Sequence, residues 1–169
     1  EARVKSEELA RESIKRLETI IAGTQTKGKA GENIIREQLK VFPADMMDMN
    51  FRVGGKVVEF ALILWNKKRL PLDVKWGATD VLERLENEKD EPAKAKLIDM
   101  VEKDVMRKSK EVSQYVDPSI TAPWAIMAVP DAVFSVCREA QLEVYRSRVI
   151  LLPYSNCLPF LLLFYGLYF

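Results

Sequence analysis

Apolar positions recur along this chain with two different periods. Between residues 4 and 22 the spacing is helical, with Ala10, Ile14, Leu17 and Ile21 on one stripe. That is the spacing at the end of a coiled coil, over too few heptads to establish one. A break at 23–28 precedes a second predicted helix, from about Lys29 to Lys40, which turns Ile35 and Leu39 inward. From Met46 to Gly77 the period changes to two and predicts strands near 47–53, 56–65 and 69–76. Gly54-Gly55 marks the first hairpin, since both glycines accept the positive φ of a tight turn, and Asn66, Lys67 and Lys68 make the second. Helical spacing returns at about 78–89 and 93–112, the latter with Pro92 near its first turn and Leu97, Val101, Val105 and Val112 on one side. Ala125 to Val129 reads as a continuous apolar strand, Asp131 to Ala140 as a helix, Val149 to Leu152 as a strand and 158–169 as a helix. The expected class is α/β: a mixed sheet flanked by helices, its later strands buried on both faces.

Composition narrows the chemistry. The chain has 169 residues, enough for one domain with a sizeable core, and carries 26 Lys and Arg against 25 Asp and Glu. It has no histidine, which removes Ser-His-acid and Cys-His catalysis and mixed His/Cys zinc sites. Carboxylates, lysines or a bound ion must do any chemistry. Cys137 and Cys157 are too far apart for a CxxC pair and too few for a disulfide scaffold, which predicts a reducing, cytoplasmic compartment. The first residues are charged instead of forming an apolar leader. From Val149 to Phe169 no residue is charged, a length that permits a membrane span, but Pro153, Ser155, Asn156 and Pro159 divide it into a buried strand and a packed helix.

The candidate chemistry gathers around Leu70-Pro71-Leu72-Asp73-Val74-Lys75-Trp76. Strand alternation puts Asp73 and Lys75 on one face and the four apolar residues on the other. A charge on an inner strand must be paired or hydrated, because desolvating it costs several kcal/mol. Glu59 is the lone charge in the row Val57, Ala61, Ile63 and Trp65 of the most apolar strand. With a three-residue loop Asn66–Lys68, Trp65 pairs with Arg69, Glu59 with Lys75 and Asp73 with Ala61; a two-residue loop Lys67-Lys68 instead sets Glu59 beside Trp76. Glu32 precedes Ile35 and Leu39 by three and seven positions and so shares their helix stripe. Neighbouring carboxylates repel by about 4 kcal/mol per pair at roughly 4 Å and an effective dielectric near 20, so the group calls for a cation. Oxygen ligation suits Mg²⁺ or Mn²⁺, with Asp73 and Glu59 as ligands, the backbone carbonyl of Val74 completing the set, and Glu32 binding directly or through water. Lys75 is assigned to the attacking water or to phosphoryl charge. No motif calls for a small organic cofactor. Two basic groups, Lys67-Lys68-Arg69 and Lys27 with Lys29, are candidates for guiding a phosphate backbone.

These motifs resemble the RmuC family of bacterial DNA-recombination proteins, predicted nucleases of the PD-(D/E)XK restriction-endonuclease-like superfamily. The similarity runs from about Lys27 to Leu163. It covers Lys27-Gly28-Lys29-Ala30-Gly31-Glu32, the Leu70 to Lys75 strand, Val129-Pro130-Asp131-Ala132, and Val149-Ile150-Leu151-Leu152-Pro153, where the family has an apolar strand and a short turn. The resemblance implies a restriction-endonuclease-like core over 27–169 and a terminal part of a helical, coiled-coil region over 1–26 that serves self-association. It makes Glu32 the acid of the first core helix, Glu59 the first strand acid, and Asp73 with Lys75 the D-x-K element of a nuclease that acts on DNA and limits rearrangement. The sequence departs from the pattern in having Val58 before Glu59 in place of a Pro-Asp dipeptide, and Trp76-Gly77 in place of Phe-Pro.

The alternative is a noncatalytic DNA-binding or assembly module in which the acids maintain a structural ion network. Among the remaining candidates, Trp124 and Tyr115 are expected in the core more than stacked on bases. Cys137 is expected as a buried helix residue, Cys157 as a turn residue and Asp131 as a helix N-cap.

Overall fold

The computed structural model describes residues 27–75 and 79–167, with side chains over 33–75 and 80–166. The predicted 4–22 helix and Trp76-Gly77 lie outside the described residues.

Helix α1 (Lys27–Leu39) and a short 3-10 turn (Ala44–Met46) lead into strands β1 (Met47–Val53), β2 (Lys56–Ile63) and β3 (Arg69–Val74). Helices α2 (Thr79–Asn87) and α3 (Glu91–Ser113) follow, then β4 (Ala125–Val129), α4 (Asp131–Val136), α5 (Glu139–Arg146), β5 (Val149–Pro153) and α6 (Tyr154–Leu167). The five strands form one sheet in sequence order. The first three pair antiparallel, whereas β3–β4 and β4–β5 are parallel. The expected mixed α/β sheet flanked by helices is therefore the fold.

Alternation builds two cores on opposite faces of this sheet. Phe60, Leu62, Leu70, Leu72, Ile126 and Leu152 pack with Ile35 and Leu39 of α1 and Leu161 of α6. Ala125, Met127, Val129, Val149 and Leu151 pack with Leu97, Val101, Val105 and Val112 of α3 and with Val144 of α5. Strand β4 is buried along its whole length, as a parallel strand covered on both faces must be.

The two hairpins differ from expectation. In the first, only Gly54 takes a positive φ, of 58°. In the second, the Leu64 N–H donates to the Lys68 carbonyl at 2.9 Å, so the three loop residues are Trp65, Asn66 and Lys67 instead of Asn66–Lys68. The Asn66 side chain accepts the Lys68 N–H at 3.0 Å and Lys67 adopts φ 64°, a local turn that outweighs continued strand pairing. Ile63, not Trp65, consequently pairs with Arg69, and Ala61 faces Pro71 instead of Asp73. The two-residue loop is likewise not formed. A slip of two residues preserves the faces, so Asp73 keeps its predicted side of the sheet.

Later boundaries move for identifiable reasons. The predicted 131–140 helix is two helices, because the buried Glu102 carboxylate of α3 accepts the Ala140 N–H at 2.5 Å and caps a new start at α5. Asp131 is not the N-cap of α4, a place held by Pro130; its carboxylate accepts the Ser155 N–H at 3.1 Å and caps α6. Helix α6 thus begins at Tyr154, directly after β5, with Pro159 inside it and Cys157 a buried helical residue instead of part of a turn. It has 14 residues, and no helix among the described residues is long and apolar enough to cross a membrane.

Candidate functional site

The end of β3 is where charge enters this apolar framework. Leu70, Leu72 and Val74 join the core beneath α1 and α6, and the intervening Asp73 points with Lys75 toward α3. Asp73 Oδ2 and Lys75 Nζ are 3.1 Å apart, with side chains only 16% and 23% exposed. The same ammonium lies 3.3 Å from Glu111 Oε2 on α3, and Glu111 Oε1 is 3.8 Å from Arg107 Nη1.

The Lys75 backbone is fixed from both sides. Its N–H donates to the Ala128 carbonyl at 2.8 Å, extending the parallel ladder past Val74, and its carbonyl accepts the Tyr154 hydroxyl at 2.8 Å. Burial alone would pull the Lys75 pKa down, but the charges and hydrogen bonds of Asp73 and Glu111 outweigh it and hold the ammonium above the ordinary lysine value. Lys75 is thus a fixed positive charge at neutral pH, suited to bind an anion and not to act as a base. Burial, then the Asp73 charge, also raises the Tyr115 phenol, which stays protonated.

The β2–β3 ladder ends at Phe60↔Leu72, with a register two residues away from the one that would pair Glu59 with Lys75, so that expected pairing is not formed. Glu59 and Asp73 each have their own cation. Lys75 serves Asp73, while Arg36 of α1 donates to the Glu59 carboxylate with its guanidinium 5.4 Å from the centre of the Phe60 ring. Glu32 occupies α1 one turn before Arg36; its side chain, like those of Lys27 and Lys29, lies outside the described set. Val74, which follows Asp73 on β3, pairs with Ala128. Among the described residues no group of three or more acidic or cysteine side chains gathers at one metal-holding point.

Lys67, Lys68 and Arg69 occupy the other end of β3. Four strand residues put Arg69 about 13 Å from Asp73. Lys67 is exposed, but the Lys68 ammonium donates to the Pro118 carbonyl, and Arg69 donates to Asp48 Oδ2 at 2.7 Å and to the Lys67 carbonyl. The structure therefore joins Asp73 with Lys75, pairs Glu59 with Arg36 of α1, and keeps this basic run apart.

Arg36, Glu111, Tyr115 and Tyr154 are the site residues that the sequence reading did not assign. Arg36 had a usable signal, a cation one turn after Glu32 on the same helix. Glu111 and Tyr154 had none, since their roles depend on which elements pack together. The remaining candidates are structural. Trp124 stacks on Tyr145 with ring centres 6.5 Å apart, and burial pushes the Cys137 and Cys157 thiols up to about 12, so neither is a ready nucleophile. Compared with protein-family models, characterised proteins and solved structures, the chain matches none of them.

Proposed function

We propose that this chain is a divalent-metal-dependent phosphodiester hydrolase acting on DNA, of the restriction-endonuclease-like kind that its resemblance to RmuC implies, with a role in recombination and in limiting rearrangement. The observation that carries the reading is the ion pair at the end of β3, where the Lys75 ammonium is held 3.1 Å from the largely buried Asp73 carboxylate, with Glu59 on the neighbouring strand. Two carboxylates and the Val74 carbonyl are an all-oxygen donor set of the kind Mg²⁺ or Mn²⁺ takes while retaining several waters, and Glu32 is the proposed third acid. A bound ion would supply Lewis acidity and neutralise phosphate charge. Glu59 and Asp73 would hold it, and Lys75 would donate to a phosphoryl oxygen as negative charge develops there. Tyr154 and the β4 ladder keep Lys75 in place during that step.

The test is cleavage of single-stranded, duplex and branched DNA with Mg²⁺ or Mn²⁺, alongside metal binding by calorimetry. Asp73→Ala and Lys75→Ala should each reduce cleavage at least about 100-fold, the size of losing one charge-stabilising group. Undiminished cleavage in both variants would reject the site. One observation favours a second reading, a noncatalytic DNA-binding or assembly module: Arg36 and Lys75 already balance the two acids without a metal. Salt-dependent DNA binding without metal binding or cleavage would select it.

A further inference from the structure

The exposed side of α3 carries a line of cations that leads into the site. Lys96, Lys103, Arg107 and Lys110 are all exposed, and spacings of seven, four and three keep them within about 60° of one another around the helix. Leu97, Val101, Val105 and Val112 occupy the buried side, so this line faces away from the protein. It is about 21 Å long at 1.5 Å per residue. Three acids, Asp99, Asp104 and Glu111, border it: Asp99 pairs with Lys103 at 2.7 Å, and Glu111 contacts both Arg107 and Lys75. Asp104 also engages Arg107, at 2.6 Å. Lys96 and Lys110 have no ion pair among the described residues. The line therefore keeps a positive excess, and Glu111 joins its end directly to the Lys75 ammonium.

We propose that this face of α3 is the surface on which a nucleic-acid backbone lies, delivering a phosphodiester to Asp73 and Lys75. The proposal rests on the reading of that site as a phosphodiesterase for the identity of its ligand. A regularly spaced polyanion matches a 21 Å row of cations, which spans about six base-pair steps of duplex. The row also fits better than the Lys67-Lys68-Arg69 run, which lies at the far end of β3 with Lys68 and Arg69 bound to other parts of the protein.

The test is anisotropy of a labelled 20-base-pair duplex in EDTA across a salt series, with the whole chain carrying Lys96→Glu and Lys110→Glu together, compared with Lys67→Glu. Both lysines are exposed, so the paired variant should fold, and the neutral pair Lys96→Gln and Lys110→Gln provides a second check. Either pair should weaken binding at least tenfold and flatten the dependence of log Kd on log salt by about 1.8, the equivalent of two lost phosphate contacts. Lys67→Glu should weaken it less than twofold. An unchanged affinity and slope in both pairs would overturn the proposal, as would wild-type binding to phosphatidylserine vesicles but not to DNA. Because EDTA removes any metal requirement, the two readings fail separately. Loss of binding in the pairs, with no cleavage by wild type in Mn²⁺, sinks the hydrolase and keeps the surface; wild-type cleavage with normal binding by the pairs does the reverse.

Discussion

The two ends of β3 each carry a cation paired with an acid, and they use the pair differently. At the hairpin end Arg69 bonds Asp48 on β1, two strands away in the same sheet, and stacks over Phe51 of that strand at 5.4 Å. Its backbone bonds Ile120 and Ala122, but all of its side-chain partners belong to the meander or its turn, so the pair closes on itself. At the other end Lys75 joins Asp73 on its own strand to Glu111 on α3, while its backbone is held by β4 and Tyr154 at the start of α6. Four elements meet there, and the charged cluster continues onto an exposed helix face. Ion pairing alone does not distinguish a structural clamp from a reactive site. The distinction lies in whether the charges complete one another or lead outward.

Breaking the two pairs in turn should give unequal losses. Lys75→Met leaves the largely buried Asp73 carboxylate without its cation and should cost about 2 kcal/mol, below the range for fully buried pairs. Arg69→Met removes a more exposed pair and should cost about 0.5 kcal/mol. Urea unfolding of both variants tests the comparison. Pairing Lys75→Met with Asp73→Asn should recover much of the larger loss, because the orphaned charge is then gone. Equal losses at the two ends would remove the basis for separating them.

Much of this contrast was legible before the structure, because it depends on strand periodicity. Leu70, Leu72 and Val74 could only share one face, and Asp73 with Lys75 the other. Helix α1, strand β4 and the apolar side of α3 were legible for the same reason. What failed were features decided by a single hydrogen bond. Asn66 and Lys67 shifted the hairpin, which slid β2 against β3 by two residues and removed the expected pairing of Glu59 with Lys75. Glu102 divided one predicted helix into two, and Asp131 capped a helix 24 residues away in sequence. The Glu111 contact depended on how α3 crosses the sheet, which no linear pattern encodes.

Tyr154→Phe probes the backbone side of the same end. It deletes the hydroxyl that donates to the Lys75 carbonyl while leaving the ring in the core. Loss of one such bond should cost about 1 kcal/mol, between the losses at the two ends of the strand. If Lys75 acts on phosphate, the variant should also lower kcat more than it raises KM, since a loosened ammonium is penalised most where negative charge develops. A stability loss with unchanged kinetics would make Tyr154 a packing residue only.

Alkaline pH should give the smallest effect and sharpen the comparison furthest. The folded pKa of Lys75 lies above its unfolded value, because Asp73 and Glu111 outweigh the cost of burial. Its contribution is therefore complete below the ordinary lysine pKa, about 10.4, and declines as pH rises through the folded value. The gap between wild type and Lys75→Met should be constant from pH 8 to 9.5 and narrow by a fraction of a kcal/mol by pH 11, since a single proton is only partly released over that range. A guanidinium releases no proton in this range, so the gap between wild type and Arg69→Met should stay flat. Urea midpoints for the three proteins at each pH measure both gaps. A Lys75 gap that widens toward pH 11 would mean that burial outweighs its acidic partners, and the ammonium would then no longer be a fixed charge beside Asp73.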